Sequence, residues 1–312
     1  MFRYILYKPA TMNTYLASIC AVLFLLFSAC QLAHASKTLT NHTAEPQIIR
    51  HAVHNQQYLA KRERYFIELL QLAIKKSGSE YLLQGQQAEP HSEKRAAQYL
   101  SQGKFDVQWL NTSTDMEENL LPIRIPLYKG LVGWRIFIIR KEDEGIFSTI
   151  KNIDDLKQFR ALQGDSWPDT EILREHDIDV ETSTDYLTLS LMLHRKRGDF
   201  FPRAIPEVWQ EISNYRDFSF TVDRTIALHY PAAYYFFVHK RNAKLASAIQ
   251  RGLENAILDG SFDTIFWKHF KSALKQSDLT QRTIISIPNP TLPPETPLRD
   301  KHLWFSIDDI PK

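Results

Sequence analysis

Phe105-Asp106-Val107-Gln108-Trp109-Leu110-Asn111-Thr112 reads as a short strand ending in polar residues, and the rest of the chain is best read outward from it. Downstream, Tyr128-Lys129-Gly130-Leu131-Val132-Gly133-Trp134-Arg135-Ile136-Phe137-Ile138-Ile139-Arg140 runs from a turn into an apolar strand. A second such passage lies at His229-Tyr230-Pro231-Ala232-Ala233-Tyr234-Tyr235. Read as crossings between two α/β lobes, these passages leave a cleft where the lobes meet.

The flanking segments support two lobes. Gln47 to Val53 is β-prone. Arg62 to Lys76 places Tyr65, Leu69, Leu72 and Ala73 at helical spacing, with Lys75 and Lys76 suiting the negative helix end and Gly78 the cap. Tyr81 to Leu83 reads as strand, Ser92 to Gln102 as helix and Phe105 to Leu110 as strand, a rhythm that implies parallel pairing. The middle repeats it. Ile153 to Phe159 is a short helix, Ala161 to Gln163 a brief strand running into Gly164, and Asp169 to His176 a helix. Ile178 to Val180 is a strand, Tyr186 to Arg195 a helix, Asp199 to Phe201 a strand and Glu207 to Tyr215 a helix. After the second crossing come a strand, Ala233 to His239, and a long helix, Asn242 to Leu258. Phe262 to Ala273 ends the packed part. Residues 285–312 hold Pro288, Pro290, Pro293, Pro294 and Pro297, which resist helix and central strand, so this tail is expected over the surface with Trp304 as its anchor.

Residues 1–35 have the pattern of a signal peptide. Arg3 and Lys8 give the positive start, Leu16 to Ala29 the apolar stretch, and Ala33-His34-Ala35 a small-x-small cleavage site. The apolar core is shorter than the roughly 20 residues of a spanning helix. Cys30 is an alternative lipidation site, poorly matched because Phe27 precedes it. Both cysteines, Cys20 and Cys30, lie in this leader, so cleavage leaves a mature chain without disulfides, thiolate metal sites or a cysteine nucleophile. Removing Arg3 and Lys8 from a formal charge of +2 leaves that chain near neutral. With no basic block interleaved with aromatics, nucleic acid is excluded as a partner.

The order Asp106 to Ile139, Asp154-Asp155-Leu156, Gln163-Gly164-Asp165-Ser166, Arg197-Gly198-Asp199 and Ala246 to Phe270 resembles bacterial periplasmic solute-binding proteins. The match is to the amino-acid-binding (family 3) kind that serves ABC transporters, with the type II two-lobed fold. Asp259-Gly260-Ser261-Phe262 resembles the family's closing Asp-Gly-Thr-Tyr pattern. The resemblance covers most of residues 46–275. It implies a first lobe at 46–128 and 230–275, a second at 129–229, and a Pro-rich tail at 276–312. It implies a monomer without cofactor or metal, capturing a small polar or anionic solute by hinge closure. The partner would be an ABC permease or a membrane sensor.

Several residues are candidates for the ligand site. Gly164, Asp165 and Ser166 form a strand-to-helix turn whose unpaired amides suit an anionic or carbonyl group, and the family uses this turn for its ligand. An ordinary helix cap accounts for the same residues. Trp109 and Trp167 are candidate aromatic walls, with core packing as the competing reading. Thr112 and Ser113 match a position where the family offers backbone and hydroxyl groups; a turn or cap role competes. Arg203 suits a carboxylate or phosphate, or else pairs with Glu207. Tyr58, Tyr234 and Tyr235 are rim or hinge aromatics. Tyr234 and Tyr235 alternate faces in a strand, so at most one faces the cleft; Tyr235 is taken for the site. Two departures weigh against a standard amino acid. The family's carboxylate-binding arginine is replaced by Glu118, and its amine-binding acid by Ala204. Arg124 is a shifted substitute for the arginine, or one half of a structural ion pair.

Asp165, Asp169 and Glu207 are the residues an enzyme would need as a carboxylate pair. Gly-Asp-Ser-Trp-Pro around Ser166 does not match Gly-x-Ser-x-Gly. The eleven histidines show no metal-ligand spacing. A binding protein is expected rather than an enzyme.

Overall fold

Tyr65, Phe66, Leu69, Leu70 and Ala73 recur at helical spacing, and the helix they form (α1, Gln57–Ser77) buries all five. The computed structural model describes residues 46–55 and 57–311; the leader, with Cys20 and Cys30, lies outside them. Before α1 runs β1 (Gln47–Val53), and after it β2 (Tyr81–Gln87), paired in parallel as the rhythm requires. Ser92 caps α2 (Glu93–Ser101), its hydroxyl accepting from Arg95 N at 3.3 Å. Next come β3 (Val107–Asn111), α3 (Thr114–Asn119) and β4 (Leu120–Ile123). Asp106 ties β1 to the start of β3: its carboxylate accepts from Arg50 N and Nε, both at 2.8 Å.

A second group of elements surrounds β5 (Trp134–Arg140), whose seven residues are all buried. It continues through α4 (Ile153–Leu156), β6 (Ala161–Gly164), α5 (Pro168–Arg174), β7 (Val180–Ser183) and α6 (Tyr186–His194). Then come β8 (Phe201–Ala204), α7 (Ile205–Asn214), β9 (Phe220–Val222) and β10 (Ile226–His229). The chain then returns to the first group through β11 (Tyr234–His239), α8 (Ala243–Leu258) and α9 (Ser261–Ser277).

Pairing is parallel only in part. β11 lies antiparallel between β3 and β4, and β5 is antiparallel to β8, β9 and β10. β6 and β7 are parallel. The sequence rhythm missed the antiparallel strands because they arrive after long excursions rather than after one helix. Arg203 sits inside β8, opposite Ile136, two residues beyond the end of the segment Asp199–Phe201 read as strand. The packed part also extends past Ala273. α9 continues to Ser277, and β12 (Thr283–Ser286) joins β10 in parallel at the edge of the β5 sheet.

Two connections join the groups, Tyr128–Gly133 and Tyr230–Ala233, and they touch. Tyr230 N donates to Gly133 O at 3.1 Å. A Cβ on Gly133 would lie 1.9 Å from Tyr230 O, so the approach requires glycine. Beside them the His229 ring lies 4.1 Å from that of Trp134. The groups also meet through helices, as Trp209 of α7 donates Nε1 to Ala273 O at 3.1 Å and Ser277 Oγ at 3.0 Å on α9.

Gly252 gives α8 its seat on α1: a Cβ there would lie 1.8 Å from Ala73 O. Gly252→Ala should therefore cost about 1–3 kcal/mol or more through forced separation of the two helices, read as a lower urea midpoint at unchanged m-value. Burial pulls His229 from its ordinary 6.5 to about 4. The unfolded chain then takes up the proton first as pH falls, so stability present above about pH 6.5 should be lost progressively towards pH 4. His229→Gln should flatten that slope in urea titrations repeated across the window.

Candidate functional site

Arg203, Glu207 and Glu211 lie four residues apart, where β8 runs into α7, so they share one face. The Arg203 fork is filled. Nε meets Glu211 Oε2 at 2.5 Å, and Nη2 meets Glu211 Oε1 at 2.7 Å and Glu207 Oε2 at 2.9 Å. Its Cζ lies 4.6 Å from the Trp167 ring centre and 5.0 Å from that of Phe201. A bidentate carboxylate with two rings close to the guanidinium is a setting that suits arginine better than lysine.

Further charges gather around this triad. Arg62 of α1 approaches Glu207 of α7 at 3.8 Å, an ion pair between the two groups of elements. Arg135, at the start of β5, pairs with Asp169 at 2.6 Å, and Tyr230 from the second connection donates its hydroxyl to the same carboxylate. Asp169 sits in the first turn of α5, where the helix dipole favours an acid. Glu93, heading α2, accepts from Tyr234 OH and from Asn111 Nδ2, the latter at 3.0 Å. Desolvation acts to raise Glu207, but the fields of Arg203, Arg135 and Arg62 outweigh it and hold the carboxyl below its ordinary range. For Glu93 desolvation prevails over Tyr234, Arg62 and Asn111, and its carboxyl is raised. Of these ion pairs, Arg62–Glu207 spans the two groups of elements, while Arg203 with Glu207 and Glu211, and Arg135 with Asp169, lie within one group. A cavity of about 90 Å³ opens beside Arg62 and Glu207, bordered by Tyr65, Tyr128 and His269.

The sequence candidates fall into separate places. Gly164 and Trp167 are in contact: the indole covers the glycine, and a Cβ there would lie 2.4 Å from Trp167 Cε2. Trp167 itself is the N-cap of α5, without a side-chain cap bond, so neither Asp165 nor Ser166 caps the helix. Both are exposed; Asp165 accepts from Thr182 Oγ1 at 3.3 Å. Thr112 donates Oγ1 to Glu117 at 2.5 Å, and Ser113 caps α3 by accepting from Met116 N at 3.2 Å. Arg124 completes that corner with Nε 2.9 Å from Glu117 Oε2, an ion pair on the protein's own loop, while Glu118 is exposed. Trp109 is buried and stacks on Phe66 at 5.3 Å. The two indoles therefore pack on different partners.

Tyr235 requires a correction. It is fully buried with Leu100, Leu110 and Phe237, and Tyr234 is the member of the pair that reaches Glu93. Both faces of β11 are buried, so alternation alone did not tell them apart. Tyr58 belongs to α1, but its side chain lies outside the described residues. Arg62, Glu93 and Arg135 were not singled out from sequence. Arg135 carried a signal, a charge near the start of a seven-residue buried strand that Arg140 closes; Arg62 and Glu93 sit in ordinary surface-helix contexts. The three carboxylates weighed for catalysis are apart in role: Asp169 faces Arg135, Glu207 faces Arg203, and Asp165 is exposed. Among the described residues no group of three or more His, Cys, Asp or Glu is placed to hold a metal, and no helix is long and apolar enough to cross a membrane.

No protein-family model matches the chain, and no curated protein matches it in sequence. Solved structures do. An ancestral arginine-binding protein bound to arginine aligns at TM-score 0.52 with 16% identity, over 72% of this chain and 98% of that one. The form described as bound to glutamine aligns at 0.52 with 17% identity, over 72% and 98%. The periplasmic VFT2 domain of BvgS from Bordetella pertussis aligns at 0.54 with 15% identity, over 71% and 93%. The chain has the two-lobed periplasmic binding-protein fold. Arg62 and Glu207 come from the two groups of elements, so their ion pair spans the groups.

Glu211 is wholly buried, so removing its partner strands a charge. Arg203→Met should cost about 3–5 kcal/mol. Arg203→Met with Glu211→Gln should recover part of that loss in a double-mutant cycle followed by chemical denaturation.

Proposed function

We propose that the protein is a periplasmic solute-binding protein that captures a small polar or anionic solute between its lobes by hinge closure. The lobes would be 46–128 with 230–275, and 129–229, and residues 1–35 would direct export and then be removed. The observation that carries this reading is the interlobe charge cluster around Arg62, Glu207 and Arg203. Charged groups gathered at a lobe boundary beside a cavity are what a polar solute needs. A carboxylate or phosphate would compete with Glu207 for the Arg62 guanidinium, with Lys61 and His269 adding positive charge at the cavity rim. The cavity of about 90 Å³ lies beside the Arg62–Glu207 pair, and parting of the lobes would widen it for a solute. The similar solved structures are of binding proteins, which supports binding rather than catalysis.

Delivery to an ABC permease is the use this reading favours. A second use, as a sensor or adaptor for a membrane partner, is supported by the cluster itself. Arg203, Arg135, Glu207 and Asp169 already satisfy one another within one proposed lobe, so their charges need no solute to be matched. Partner recognition would then read the closed form directly.

A thermal-shift screen with a metabolite library tests the binding reading. A solute at about 100 times its dissociation constant should stabilise the protein by about 2.7 kcal/mol. Arg62→Ala should abolish that shift while the unliganded protein still unfolds cooperatively. A library without a single hit, and Arg62→Ala indistinguishable from wild type in every titration, would remove the support for solute capture.

A further inference from the structure

The segment after α9 returns across the molecule and fastens to both interlobe connections. It turns at Asp278, in the left-handed region at φ 46°, and enters β12 beside β10 on the β5 sheet. Ile287 N then donates to His229 O at 2.9 Å, and Asn289 Nδ2 to Pro231 O at 2.8 Å, so the tail holds the second connection. Further on it holds the first. Phe305 N donates to Lys129 O at 2.7 Å, and the Phe305 ring stands edge-on to Trp134 at 5.9 Å. The Trp304 indole lies on Gly130, which has φ 74° and whose Cβ, if present, would be 2.4 Å from Trp304 Cε3. Trp304 also packs against the cluster of Leu110, Leu120 and Phe237 in the other lobe. Between the two attachments, Pro288, Pro290, Pro293, Pro294 and Pro297 stiffen the chain, and Pro297 O accepts from Trp304 Nε1 at 2.9 Å.

We propose that residues 283–306 form a strap across the hinge that holds the lobes closed, so that opening requires the strap to release at least one connection. Lobe opening is absorbed by φ/ψ changes in a few connecting residues. Within the connections that must change, Lys129 to Gly133 and Tyr230 to Ala233, the strap engages the Lys129 and Pro231 carbonyls and covers the Gly130 Cα. A strap anchored by a strand in one lobe and an indole in the other resists their rotation from both sides. The inference does not depend on any solute.

Its test is the interlobe distance of the unliganded protein. Spin labels at Asp154→Cys and Lys244→Cys, both exposed and in different lobes, report it by electron–electron resonance with Cys20 and Cys30 replaced by Ser. Wild type should give one short, narrow distribution. A chain ending at Ile287 and the point variant Trp304→Ala should give a longer or broader one. Amide exchange at Leu131, Gly133 and Tyr230 should be faster by about tenfold or more in both, as expected for the loss of one or two hydrogen-bonded supports. Should the shortened chain fail to fold, Trp304→Ala and Asn289→Ala carry the test. Distributions and exchange rates that coincide with wild type in variants that unfold cooperatively would overturn the strap. Because no solute is present, that outcome is independent of the ligand screen.

Discussion

The two interlobe connections run so close together that one of them has no room for a side chain. Gly133 and Tyr230 meet main chain to main chain, and a Cβ on Gly133 would fall 1.9 Å from the Tyr230 carbonyl oxygen. Much else follows from that contact. It aligns β5 with β10, since Trp134 and His229 are directly opposite in the pairing that begins there. It sets the Tyr230 ring beneath the Arg135 guanidinium at 5.5 Å, with the hydroxyl on Asp169. The tail attaches to both connections, at Lys129 and at Pro231.

Burying so many charges is costly unless every one is matched. The matching here is close to complete among the groups described. Arg203 is held by two carboxylates and two rings, Arg135 by one of each, and Glu93 by a phenol and an amide. Arg62 differs from these in its looser 3.8 Å contact with Glu207 and in being about a third exposed. Solvent keeps access to it. The same asymmetry explains why Arg203, though a reasonable ligand-binding candidate from sequence, is better placed to hold the lobe's interior together.

The strand of Phe105 to Leu110, the helix with Tyr65 and Leu69, and both connections were legible because each rests on a local pattern of apolar residues and turn formers. The antiparallel placement of β11 between β3 and β4 was not, since no local pattern records which distant strand a segment will join. The site was legible only in part. Trp167 and Arg203 were singled out and do lie together, yet their fourth neighbour, Glu211, carried no sign of its burial. Tyr234 and Tyr235 show the limit most clearly. When both faces of a strand are covered, a period of two separates the faces without saying which meets the polar cluster. The tail misled for a different reason. Proline density argued against regular structure, but Thr283 to Ser286 precede the first proline and supply a β-branched strand to an open edge.

A cleft that satisfies its own charges competes with whatever it is meant to hold. A solute shifts the lobes only by the difference in its affinity for the two arrangements. If it must enter an open form that is the minor population, its apparent affinity falls in proportion to that population. On the proposed reading, the internal pairing of Arg62 with Glu207 and the attachment of the tail both favour the closed form, and they act at different places, one inside the cleft and one behind the hinge. Their separation has a physical consequence. An anion that takes Arg62 removes the first bias while leaving the second, so the lobes can reclose around it with the hinge still held. A protein built this way would open rarely and hold its contents long, with the strap governing the rate of opening and the charge cluster the choice of contents.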